Sequence, residues 1–151
     1  MSKLIYCIPF VLLLFTGCNS VYERYYPLPG NKWAHGTKLN FEVPVNKNAV
    51  YNMYLQVRNS ESYAYSNLWL RMKTTPPGGE KISEQYNVNV ADNYGRWHGT
   101  NIGAYHDHKY LVKENVKFDT SGVFTFSLQH DMRRDTVIGI VDIGVRLVRV
   151  D

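Results

Sequence analysis

Apolar and polar residues alternate over six separate stretches of the chain. Leu39, Phe41, Val43 and Val45 share one parity, as do Tyr51, Met53, Leu55 and Val57. The same holds for Leu68, Leu70 and Met72, for Tyr86, Val88 and Val90, and for Phe124, Phe126 and Leu128. The last stretch sets Val141, Ile143, Val145 and Leu147 against Asp142, Gly144 and Arg146. On a strand, residues two apart face the same way, so each stretch presents one apolar face. One wet and one dry face per strand is the mark of antiparallel sheets packed on a core. The breaks carry turn chemistry. In TPPGGE (Thr75 to Glu80) two prolines lack N–H donors and two glycines allow positive φ, and DTSGV (Asp119 to Val123) reads as a tight turn. No stretch carries a helical stripe, and DNYGRWHG (Asp92 to Gly99) has room for one turn. The expected fold is all-β, an antiparallel two-sheet sandwich of jelly-roll or Greek-key connection. Its core is expected to be built by Phe41, Leu55, Leu70, Val88, Phe126 and Val145.

The N-terminal segment follows a different pattern. Lys3 precedes an apolar run from Leu4 to Phe15, interrupted by Pro9. That run is shorter than the ~20 apolar residues a membrane span needs, and it matches a signal-peptide core. Thr16 and Gly17 then lead into Cys18. Leu-Phe-Thr-Gly-Cys resembles a bacterial lipobox, with Phe15 where leucine is usual. This predicts a signal peptide over 1–17 and lipid attachment at Cys18, which becomes the mature N-terminus. Cys7 then leaves with the signal and Cys18 is alkylated, so disulfides, a CxxC pair and a cysteine zinc site are excluded. NSVYERYYPLPGN (Asn19 to Asn31) has two prolines, a glycine and little periodicity. We read 18–31 as a lipidated tether, spanning ~40 Å if extended, and 32–151 as the sandwich domain with Trp33 docked on it. Asn19 is not Asp, and by resemblance to lipoprotein sorting patterns the expected location is the outer membrane, facing the periplasm.

Charge and composition narrow the function. The formal charge of +4 is mild, Lys3 contributes to it, and the basic residues do not cluster, which argues against nucleic acid. Twelve Tyr, six Phe and three Trp favour strands and wet interfaces. His106 and His108 have metal-ligand spacing on a strand, but two ligands do not close a site, and an exposed polar loop is the simpler reading. The carboxylates Glu114, Asp119, Asp131, Asp135 and Asp142 are scattered, so a glycosidase pair is not evident. There is no GxSxG elbow and no phosphate loop, and His130-Asp131 adjacency does not make a triad. No cofactor and no metal are expected. Trp69 points away from Leu68 and Leu70, toward a protein interface or a second buried face. Beside Tyr54 and Arg58, and with Trp97, it makes a candidate partner-binding set. In QHDMRRDTVIGIVDIG (Gln129 to Gly144) the expectation is a structural corner, with Asp131 accepting turn N–H bonds and Arg133 reaching back to carbonyls. The rival reading has Arg133 protruding toward an acidic partner.

Three blocks bring a family into view. They are Arg58-Asn59 with Tyr63, Tyr65 and Asn67-Leu68-Trp69-Leu70; then Gly95-Arg96-Trp97 with Gly99; then Gln129, Asp131-Met132-Arg133, Gly139-Ile140 and Gly144. In that order, after a lipobox and an aromatic lead-in to Trp33, they resemble the GldH family of gliding-motility lipoproteins of Bacteroidota. The resemblance implies an envelope lipoprotein without catalytic residues. In gliding members the family serves assembly or stability of the motility machinery and is linked to protein secretion. The expected function is therefore a non-catalytic structural or interaction component of such a complex, held to the membrane by its lipid and bound to other envelope proteins. A carbohydrate-binding module on the envelope is the alternative, and a hydrolase is the third reading.

Overall fold

The computed structural model describes residues 20–151. The expected signal peptide over 1–17 and the expected lipid-attachment residue Cys18 lie outside the described residues. Strands run in the order β1 (Ser20–Pro27), β2 (Lys32–Ala34), β3 (Leu39–Val45), β4 (Tyr51–Ser60), β5 (Asn67–Thr75) and β6 (Ile82–Asn89). They continue with β7 (Thr100–Ile102), β8 (Tyr105–Val116), β9 (Gly122–His130), β10 (Thr136–Ile138) and β11 (Ile140–Arg149). All the pairings are antiparallel. One sheet has the order β1-β11-β4-β8-β7, the other β3-β9-β5-β6, and β10 and β2 form a small ribbon. The β1-β11-β4-β8 and β3-β9-β5-β6 orders are those of an eight-stranded jelly roll. Along the main strands the chain changes sheet at every connection except the β5–β6 hairpin. Each strand's apolar face must therefore meet the opposite sheet, and the alternation in the sequence does this.

All six expected core residues are buried, in one cluster with Trp33, Met53, Leu68, Leu128 and Ile143. Trp33 docks as expected and its Nε1 donates to the Thr37 carbonyl at 3.0 Å. The TPPGGE break is a turn with Gly78 at φ 66°, whereas DTSGV only bends at Asp119–Thr120 before Gly122, at φ 139°, opens β9. DNYGRWHG holds no helix. Asp92 organises it by accepting from the backbone N–H groups of Tyr94 and Arg96 at 2.9 Å, and Ala91 bridges Trp97.

Two expectations need correction. The tether over 18–31 is a strand for most of its described length, since Ser20 to Pro27 pair with Val148 to Asp142 of β11. Without β1 that edge of β11 would be unpaired. Tyr22 and Tyr26 pack on the core from it, and the Tyr26 ring meets Phe41 edge-on at 4.8 Å. Proline and tyrosine hid the strand, because no aliphatic alternation marks it. The histidine segment is likewise no exposed loop. It opens β8, the longest strand, whose inward positions near its start are His106 and His108 rather than aliphatic residues.

Candidate functional site

The strand ends divide the sandwich. Ser20, Val45, Tyr51, Thr75, Ile82, Val116 and Gly122 lie at one end. Pro27, Leu39, Ser60, Asn67, Asn89, His130 and Ile140 lie at the other. The second end is the one built from specific side chains.

Asp131 leaves β9 and hydrogen-bonds through its N–H to the Trp69 carbonyl at 2.8 Å. Its Oδ2 accepts from Arg71 at 2.6 Å and from the Gln85 amide. These donors hold the Asp131 carboxyl below the usual carboxylate range. Asp131 thus ties the corner to β5 and β6, through side chains rather than the turn N–H groups expected. Met132 adds a second tie, its Sδ accepting from the Trp69 N–H at 3.3 Å. The chain then turns outward. Arg134 Nε donates to the Tyr65 hydroxyl at 3.0 Å. Arg133 is exposed, and among the described residues its side chain makes no hydrogen bond or ion pair. The expectation that Arg133 braces the corner is thereby corrected, because the ties of Asp131 and Met132 already hold the turn and leave its side chain in water.

The result is an open groove of about 480 Å³ on the outer face of the four-stranded sheet, floored by Trp69, Asn67 and Gln85 and walled by Tyr65, Met132, Arg133 and Arg134. Trp69 is 37% exposed there, so it faces solvent and not a second core. Asp131 is the one carboxylate of the lining, and both its donors are basic or amide groups. A shallower hollow adjoins it through Tyr65 and reaches Trp97 and Gly95.

Under Trp97 lies a polar cluster. The indole stacks on His106 at 5.3 Å and donates Nε1–H to Glu61 at 3.1 Å. His106 bonds Glu61 through Nε2 and Asn101 through Nδ1. His108 bonds Asn59 Oδ1 through Nε2 at 2.7 Å, and burial pushes its pKa down to about 4. Gly99 packs against this ring, and a Cβ there would lie 2.5 Å from the Asp107 carbonyl oxygen. Both histidines are braces for the loop that presents Trp97. Among the described residues no group of three His, Cys, Asp or Glu is placed to hold a metal.

Tyr54 and Arg58 are elsewhere. They lie on β4 in the five-stranded sheet, while Trp69 lies on β5 in the other. The expected patch of Trp69 beside Tyr54 and Arg58 is not formed, since each points out from its own sheet. Arg58 clamps its sheet, pairing with Asp142 at 2.7 Å and Asp107 at 3.4 Å with Tyr25 under its guanidinium. Tyr54 carries Lys109 over its ring. The side chain of His130 is buried against Trp33 while the next residue, Asp131, reaches the outer face, so the two form no catalytic dyad. The sequence had not singled out Arg71, Gln85 or Arg134 for this site. Arg71 and Gln85 are cross-strand neighbours, a relation that only the β5–β6 register reveals.

The family blocks meet at this end. Tyr65, Asn67 and Trp69 come from the first, Trp97 from the second, and Asp131, Met132 and Arg133 from the third. The model of the GldH lipoprotein family matches residues 20–147. This chain belongs to the GldH lipoprotein family. It is 32% identical to a gliding motility lipoprotein GldH homolog of Christiangramia forsetii, over 94% of this chain and 93% of that one. It is 24% identical to the gliding motility lipoprotein GldH of Flavobacterium johnsoniae, over 93% and 92% respectively. Within the GldH family, Gly139 of the third block now has a physical reason. Its φ is 95°, and a Cβ there would lie 2.4 Å from the Tyr63 nitrogen.

Proposed function

We propose that this GldH-family chain is a non-catalytic docking component of a gliding-motility or associated protein-secretion complex. It is anchored at Cys18 to the outer membrane, faces the periplasm and needs no cofactor. The groove between Trp69 and Arg133–Arg134 is its contact, and the occupant is a carboxylate-bearing segment of another envelope protein. The observation that carries this reading is an exposed tryptophan beside an unpaired arginine, both held on a braced end of the fold. Such aromatic and arginine pairs dominate protein contacts, because a large ring is desolvated while a guanidinium takes a carboxylate in a fork. Asp131 is engaged by Arg71 and Gln85, so it leaves the cationic side of the groove dominant.

Co-purification of tagged lipoprotein from the envelope, read by mass spectrometry, tests this. Trp69→Ala and Arg133→Glu should each deplete the same partner by at least about tenfold, the loss of one hot-spot contact. Retention of every partner by both variants would overturn the docking site.

A carbohydrate reading retains one supporting observation. Asn67 donates to the Asn87 amide oxygen at 2.8 Å beside Trp69, and amides next to an indole suit sugar hydroxyls. Against it, Tyr65 walls the same groove but forms no stacked or edge-on pair with Trp69 among the described residues, its hydroxyl being taken by Arg134. Calorimetric titration of envelope glycans into the purified domain separates the two readings.

A further inference from the structure

We propose that the end of the sandwich where β1 begins lies on a phospholipid bilayer surface, with the Trp69 groove held near the opposite end. The proposal rests on the reading of Cys18 as the lipid-bearing residue. Its geometry comes from where the described chain begins. Ser20 is already paired with Val148 in the sheet, so one residue, Asn19, separates Cys18 from the fold. Two residues span at most ~7 Å. A lipid in the bilayer on Cys18 therefore draws that end of the domain to the headgroups, where a tether of 14 residues would have let it stand off.

The surface at that end suits the position. Val21, Ile82, Val123 and Val150 are 45, 58, 53 and 43% exposed, and all four belong to strand starts or the C-terminus there. Ile102 and Ile138 are as exposed at the far end, so it is the junction of these four with an apolar cleft that calls for a cover. Between the turn at Pro76–Pro77 and the segment at Lys117–Phe118 opens a cleft of about 500 Å³, floored by Phe124 and Phe126, so apolar surface continues inward from that end. Lys47, Lys81, Lys117 and Arg149 are exposed at that end, against Glu80, Glu114, Asp119 and Asp151. These charges balance. The lipid anchor holds the domain, and these side chains set which way it faces. Strands of about ten residues then lift the Trp69 groove ~30 Å from the bilayer, toward other envelope proteins.

The test uses full-length lipoprotein processed in a bacterial envelope and reconstituted in vesicles of phosphatidylethanolamine and phosphatidylglycerol. Intact mass reports the state of Cys18. Single cysteines at Val123→Cys and Ile82→Cys, with Tyr94→Cys at the far end as reference, carry a fluorophore. Lipid-borne nitroxide should quench the first two several-fold more than the third, since Tyr94 is 86% exposed at the opposite end. Inserting about ten Gly and Ser residues between Asn19 and Ser20 should erase the difference, because the spacer restores freedom of orientation. Equal quenching at all three positions in protein whose Cys18 carries the lipid would overturn the orientation alone. A processed or unprocessed chain with no lipid on Cys18 would overturn the anchor reading and the proposal with it.

Discussion

The two ends of this sandwich are held by different physics. At the end where β1 begins, the connections are short and are closed by backbone N–H groups donating to small turn side chains. Lys47 N–H donates to Ser121 Oγ, Asn48 N–H to Asn46 Oδ1, and Gly78 turns with open space around it. Turn residues of the right type are enough there, so many sequences would serve. At the far end the loops are held by side chains that reach other strands. Asp131 takes Arg71 and Gln85, Arg134 donates to the Tyr65 hydroxyl at 3.0 Å, and Trp97, Glu61 and His106 close on one another. Each such tie demands particular residues at distant positions. This accounts for the GldH blocks lying at that end, and it gives a groove with fixed walls rather than a set of independent loops.

The largest test of this contrast compares two glycines. Gly139→Ala adds a Cβ against the backbone of Ser62 and Tyr63 at a φ of 95°, and no rotamer relieves it. We expect a loss of about 3 kcal/mol or more in chemical denaturation. Gly78→Ala keeps the positive φ of 66° but meets nothing within 4 Å. Its cost should stay near about 1 kcal/mol. Equal losses at the two sites would erase the difference between the ends.

The second test is pH. His108 titrates at about 4 in the fold because burial disfavours its charged form, against 6.5 ordinarily. Its folded pKa is lowered, so the unfolded chain takes up the proton first. The stability linked to it is complete above about pH 6.5 and is lost as pH falls to about 4, by up to about 3 kcal/mol. Burial shifts His130 in the same direction. His108→Gln should lower the midpoint at pH 8 yet flatten the fall between 6.5 and 4. An unchanged slope in that variant would remove His108 from the account of acid sensitivity.

The smallest effect separates bracing from display within one corner. Asp131→Ala should cost about 1–2 kcal/mol, since Arg71 and Gln85 lose a shared acceptor while Arg71 itself is about half in solvent. Arg133→Ala should change the midpoint by less than about 0.5 kcal/mol, because the exposed side chain touches nothing that it holds. A midpoint that falls as far for Arg133→Ala as for Asp131→Ala would make the corner purely structural.

Much of this was legible along the chain. Period-2 alternation marked β3, β4, β5, β6, β9 and β11, and their inward residues form the observed core except at Val141, where a β-bulge breaks the parity and buries Ile140 instead. Parity alone turned Trp69 outward, and the family blocks were readable without coordinates. These are local properties, since side-chain direction on a strand repeats every two residues wherever the strand ends up. Tertiary structure decided the rest. Parity cannot say which sheet a strand joins, so it could not separate Trp69 from Tyr54 and Arg58 or bring Gln85 and Arg71 to Asp131. It could not show that Ser20 to Pro27 would find β11 at the opposite end of the sequence, because that pairing is made by backbone groups every residue carries. Nor could it bury His106 and His108, whose inward places depend on Asn101, Asn59 and Glu61 arriving from elsewhere to hydrogen-bond their rings.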